Sequence, residues 1–225
     1  MVDVLALIGQ LLPIGLAVAV SSVPLMVTIT ILLSPTAGRS SLAFLVGWIV
    51  GMFAVAALFS FGLRSVKPNE HPAAQPLVGV VEMLIGLAIV VHGMRQLVRR
   101  ERASAATQLP RILRLVGSIR PAAAFGLALV LNVRPKAVLL AAAVGVIVGT
   151  AELQAWQDAI AIVVYVVLGA STVAVPIILC LARPERAQRP LRATQSWIER
   201  NNRSVTLVVE IVIGTVVLGD GLGRL

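Results

Sequence analysis

Two cations, an amide and a proline stand together in the middle of an apolar run: Asn132, Arg134, Pro135 and Lys136 within Phe125–Ala142, FGLALVLNVRPKAVLLAA. A helix crossing lipid does not carry two cations and a proline at mid-span without a reason. Proline removes a backbone donor and clashes with the preceding turn, so the spacing predicts a broken helix there. Freed backbone groups and charges at membrane depth persist only against protein or a wet cavity. Half-helix ends with fixed cations suit a carboxylate, sulfate or phosphate group, so one reading of Arg134 and Lys136 is an anion-attracting centre. The other is structural: the two cations are held by buried acids, or snorkel to a boundary. Two such acids exist. Glu82 and Glu210 each lie about seven residues into an apolar run, where acids serve as proton carriers or as counter-ions to buried bases.

The pattern is duplicated. Gly15, Leu16, Ala17 and Pro24 match Gly126, Leu127, Ala128 and Pro135 at a constant offset of 111, with Ser21 opposite Asn132. Ser21 and Ser22 stand just before Pro24, where hydroxyls either contact substrate or satisfy carbonyls freed by the proline. A second match aligns residues 80–86, VVEMLIG, with 208–214, VVEIVIG, at an offset of 128, and Gly93 then meets Gly221. Gly51 pairs more weakly with Gly169 at an offset of 118.

The elements that must position these residues are membrane spans. Of 225 residues, 58% are hydrophobic and only 13% charged, too apolar a balance for a soluble domain of this size. Uncharged runs at 4–38, 40–63 and 159–182 match or exceed the ~20 residues that cross a bilayer. The expected fold is all-α and polytopic, with six spans at about 4–34, 40–63, 76–95, 118–150, 157–182 and 204–222. The first and fourth contain the breaks. Three spans per half is odd, so the halves, about 4–98 and 118–225, form a 3+3 inverted repeat within a single transmembrane domain, 1–225. Gly47–Gly51 and Gly145–Gly149 have the spacing for close helix packing.

Basic loops orient the chain. Placing the linker 95–120 and the segment 183–203 in the cytoplasm, with Arg39, puts fourteen of nineteen Lys and Arg residues inside. The loop around Glu152 and Asp158 then lies outside, as do both termini, in a multi-pass protein of the inner (plasma) membrane. Asp3 and the lack of a cation before the first apolar run argue against a cleaved signal peptide. Within the linker, Arg111, Ile112, Arg114, Leu115 and Ile119 fit either an amphipathic helix on the inner leaflet or a solvated loop.

The net charge of +9 is explained by these loops, and no aromatic platform accompanies it, so no nucleic-acid partner is expected. Cys180 is the single cysteine, which excludes an internal disulfide or dithiol relay. With the histidines apart, and His92 near a span end, no metal-ligand spacing occurs. No nucleophile arrangement or phosphate loop is present, so neither an enzyme nor a cofactor is expected.

Four stretches carry a family likeness: Ser22-Val23-Pro24; Leu32-Leu33-Ser34-Pro35 with Arg39; Ala43-Phe44-Leu45-Val46-Gly47-Trp48; and Arg134-Pro135-Lys136-Ala137-Val138-Leu139-Leu140-Ala141. In these the chain resembles the GAP family of actinobacteria, the peptidoglycolipid-addressing and sulfolipid-addressing proteins, within the lysine-exporter-like superfamily. The family's usual run here is Asn-Pro-Lys-Asn-like, and Arg134 and Ala137 replace its two asparagines. The resemblance implies movement of cell-envelope glycolipids or assistance to their export. The superfamily also holds thiol-electron carriers with cysteines near the breaks; Ser21, Ser22 and Asn132 occupy that region here, so that redox activity is not expected.

Three functions follow. The first is a transporter or export component for an anionic envelope lipid, with a midplane site at Ser21, Ser22, Pro24, Asn132, Arg134, Pro135 and Lys136, and with Glu82 and Glu210 pairing charge or coupling protons. The second is an amino-acid or cation exporter of the lysine-exporter type. The third is a non-transporting accessory subunit. Partners are accordingly membrane lipids, the anionic lipid or a small-molecule substrate, and envelope lipid-export machinery, with a homodimer as a further option.

Overall fold

The structure is a computed structural model and describes residues 2–35, 37–64, 75–102, 119–151, 153–182 and 184–223. All regular elements among them are helices: α1 Val2–Ala19, α2 Ser22–Leu32, α3 Ala37–Arg64, α4 Gln75–Arg102, α5 Pro121–Asn132, α6 Pro135–Thr150, α7 Ala155–Ala182 and α8 Pro184–Leu222. Three helices contain stretches long and apolar enough to cross a membrane: Ala37–Gly62, Val78–Arg95 and Ala155–Ala182. Two bent pairs, α1 with α2 and α5 with α6, raise the number of candidate spans to five.

Both expected breaks are present, with bends of 51° between α1 and α2 and 67° between α5 and α6. Each lies just ahead of its proline. Pro135 is the first residue of α6, where a missing N–H costs no intrahelical bond. The residue before a proline is pushed out of the helical region, and Arg134 accordingly has φ −68° and ψ 149°. Pro24 is the third residue of α2. In an unbroken helix its ring would strike the carbonyl four residues back, that of Val20. The chain departs from helix at that point, with Ser21 at φ −71° and ψ 112°. Pro13 in α1 and Pro176 in α7 lie inside helices that continue past them, so proline by itself does not decide where a span divides.

Two helices run further than the apolar spans. α4 continues through the basic residues to Arg102, and α8 is 39 residues long, beginning at Pro184. At ~1.5 Å per residue α8 measures about 58 Å, roughly twice the ~30 Å hydrocarbon thickness. The segment 183–203, expected as a loop, is thus helical from 184 onward and continuous with the last apolar stretch. Its Arg, Glu, Gln and Ala residues favour helix as well as water. Asp158, expected where the outer loop meets the span 157–182, stands in the first turn of α7 and is buried; an acid there suits the positive end of the helix dipole. Of the amphipathic pattern at 111–119, all but Ile119 lies outside the described residues, as does Glu152.

Packing joins sequence-distant elements. α3 lies along both α5 and α6, and α7 lies along α1 and, less extensively, α2. The core sits where these layers meet, with Phe44, Trp48, Met52 and Tyr165 all nearly inaccessible. Phe44 and Trp48, one turn apart on α3, stack with ring centroids 6.4 Å apart. Small residues set these distances: a side chain at position 47 would meet Phe125 O at 2.6 Å, and one at 145 would strike Phe59. The most extensive contact is between α4 and α8. There Gly86 and Gly214 face each other so closely that an added Cβ at 86 lies 2.8 Å from Gly214 O. Large apolar residues such as Leu58, Phe61, Val130, Val167 and Leu179 remain exposed around the outside, as lipid-facing positions require.

Candidate functional site

The second break gathers most of the polar residues expected to act. Asn132 closes α5 and is buried, 4% exposed. Its Nδ2 donates to Ala128 O at 3.0 Å and reaches Trp48 O at 3.4 Å across the α3 contact. Its amide lies where a side chain on Gly51 would stand, at 2.6 Å, so Gly51 is small because Asn132 occupies that volume. Arg134 turns back and donates from Nε to Leu131 O at 3.0 Å. A cation is thereby placed on an open carbonyl at the negative end of α5. That bond uses only Nε and leaves the two Nη groups for other acceptors.

Lys136, one residue past Pro135 in α6, makes the buried ion pair: its Nζ lies 3.0 Å from Glu210 Oε1 on α8. The acid is 1% exposed and the base 15%. Removing such charges from water costs several kcal/mol each, roughly, so each needs the other. Among the described residues neither Glu210 oxygen accepts a hydrogen bond, and the pair rests on charge alone. The acid fits because α4 presents no side chain opposite it. A Cβ on Gly93 would come within 2.8 Å of Glu210 Oε2.

The first break is built differently. Ser21 is buried but makes no side-chain capping bond to α2, and Ser22 is the first residue of that helix. The carbonyl of Ala19, left open at the end of α1, is satisfied by Thr172 Oγ1 of α7 at 2.7 Å. Thr172 has no match in the repeat and no motif around it, and only the approach of α7 to α1 reveals its part. α2, which begins at Ser22, packs with α3, α7 and α8, and α6 packs with α3, α4, α1 and, less extensively, α7. Lys136 and Glu210 are brought together, and Asn132 and Arg134 stand just ahead of Lys136 at the same break. Glu82, on α4, is buried at 3% exposure.

Apolar helices long enough to span a bilayer, two of them divided by bends, with a buried acid–base pair beside one division, define a multi-pass membrane protein. The family model described as Sap, sulfolipid-1-addressing protein, matches residues 11–223, and the chain belongs to that family. No curated protein and no solved structure matches the chain.

Proposed function

We propose that this protein moves an anionic envelope lipid, or serves as a component of its export, without enzymatic chemistry or a cofactor. The observation that carries the reading is the Lys136–Glu210 pair at the α5–α6 break, in a chain whose family is named for addressing sulfolipid-1. An anionic headgroup arriving at the break would meet Arg134 Nη donors and compete with Glu210 for Lys136. The exchange would leave Glu210 buried without its counter-charge. Binding of the lipid and the Lys136–Glu210 pairing are thus coupled, and Glu210 and the repeat-related Glu82 are the acids proposed to pair charge or couple protons.

The architecture proposed for this is six crossings, the sixth being 204–222 of α8, arranged as a 3+3 inverted repeat. Its support is the reciprocity of packing: α3 on α5–α6 mirrors α7 on α1–α2, while α4 and α8 pack on each other through Gly86 and Gly214. The repeat is unequal in charge, because the position matching Lys136 at an offset of 111 is Leu25.

Both termini are proposed to face away from the cytoplasm, in the inner membrane. In a Cys180→Ala background, Leu153→Cys should react with an impermeant thiol reagent added outside, and Gln188→Cys should not. The reverse pattern would overturn the orientation. For the function itself, lipids retained by the gently purified protein are identified by mass spectrometry. An anionic envelope glycolipid, depleted when Arg134 and Lys136 are neutralised, is the expected result. Retention of bulk phospholipid alone, unchanged in the variants, would sink the lipid-export reading.

A further inference from the structure

A cavity of about 810 Å³ opens between α2, α7 and α8, within the range of about 300–1,000 Å³ typical of ligand pockets. Its walls are Leu25 and Ile29 of α2, Val175 and Leu179 of α7, and Leu191 and Thr194 of α8. Two hydroxyls at its edge are already committed, Thr172 to Ala19 O at 2.7 Å and Ser171 to Leu168 O at 2.6 Å. The lining is therefore suited to hydrocarbon and unsuited to a polar solute. It lies on a flank where Val175, Ile178 and Leu179 are all more than half exposed, so it is open to the bilayer side of the helices. The α8 segment that closes it carries Arg186, Arg189, Arg192, Arg200 and Arg203 against only Glu185 and Glu199. Leu191, in the wall, stands between Pro190 and Arg192 in the chain.

We infer that this cavity holds one acyl chain of an anionic membrane lipid, with the basic first half of α8 selecting the charge of its headgroup. The inference rests on the proposed lipid reading and adds to it a hydrocarbon site separate from the Lys136–Glu210 pair. It also gives the helical, rather than loop, form of 184–203 a purpose. A helix there carries Leu191 and Thr194 against α2 and α7 within an arginine-rich segment, and arginines beside a membrane surface attract anionic lipid.

The test uses the full chain reconstituted into vesicles of phosphatidylcholine with phosphatidylglycerol. A photoactivatable benzophenone side chain is placed at Val175 in the cavity wall, or at the lipid-exposed Val167 of the same helix as a control. The cavity position should capture phosphatidylglycerol in preference to phosphatidylcholine, and the control should capture both in the vesicle ratio. Thr194→Trp, which fills the cavity from an exposed position on α8, should abolish the preference while the melting temperature holds. Arg189→Gln with Arg192→Gln should lower it, by about fivefold per arginine. Equal capture at both positions, a preference indifferent to Thr194→Trp, or capture of a polypeptide instead of lipid would each overturn the inference. Each of these failures leaves the lipid reading standing if Arg134 and Lys136 variants still lose envelope lipid. Conversely, selective capture at Val175 by a protein whose loss leaves envelope lipids unchanged overturns the export reading alone.

Discussion

Replacing Lys136 with Met is expected to destabilise the protein by about 3–5 kcal/mol, because it strands a buried carboxylate without its counter-charge. The lower end applies, since the lysine keeps 15% of its side-chain exposure whereas Glu210 keeps 1%. Adding Glu210→Gln removes the stranded charge, and the double variant should recover most of the loss in thermal unfolding followed in detergent. Glu210→Gln alone leaves a partly hydrated ammonium and should cost less than Lys136→Met alone. These stability results concern the pair as structure. Export separates the two readings of it: a well-folded double variant that no longer delivers envelope lipid assigns the pair to transport. Wild-type delivery by that variant would leave the pair a packing device, and the proposed charge exchange at the break would fall.

The second large effect concerns the α4–α8 contact. A Cβ at Gly86 would stand 2.7 Å from Leu218 N and 2.8 Å from Gly214 O, and one at Gly214 would stand 2.9 Å from Gly86 O. These are backbone atoms and cannot swing aside, so the helices must separate. Gly86→Ala and Gly214→Ala should each cost about 1–3 kcal/mol, with Gly86→Leu exceeding both. Gly9 and Gly126, which have nothing within 4 Å of an added Cβ, serve as controls. Alanine at those positions should be neutral or stabilising by up to roughly 1 kcal/mol, the ordinary gain of replacing a helical glycine. A similar loss at all four positions would show that the close approach of α4 and α8 does not hold the protein together.

Membrane character, the two breaks and the candidate charges were legible in the chain because each depends on local chemistry. Apolar runs longer than ~20 residues have few alternatives to a bilayer, and proline acts on the turn immediately before it. The family, too, was recognisable from short motifs around Pro24 and Pro135, and the match over 11–223 supports that assignment. Length of helix was less legible. Hydropathy marks where lipid ends, and the helix of α8 starts twenty residues before its apolar stretch at 204, since arginine and glutamate leave the bilayer without leaving the helical conformation.

Pairing was decided only in three dimensions. The duplicated acids and the two adjacent cations allowed several ion pairs, and nothing in their spacing distinguishes Lys136 from Arg134 as the partner of Glu210. The choice follows from the 67° bend, which turns Arg134 back onto the end of α5 and sends Lys136 with α6. Thr172 was invisible for the same reason: its acceptor, Ala19 O, lies 153 residues away in the chain and becomes a neighbour only when α7 packs on α1. Apolar character and charge are properties of a segment and its solvent, and sequence determined them; proline marked the candidate breaks at Pro24 and Pro135, while Pro13 and Pro176 leave their helices undivided. Which charge meets which, and which hydroxyl closes an open carbonyl, depend on the packing of distant helices, and tertiary structure alone decided them.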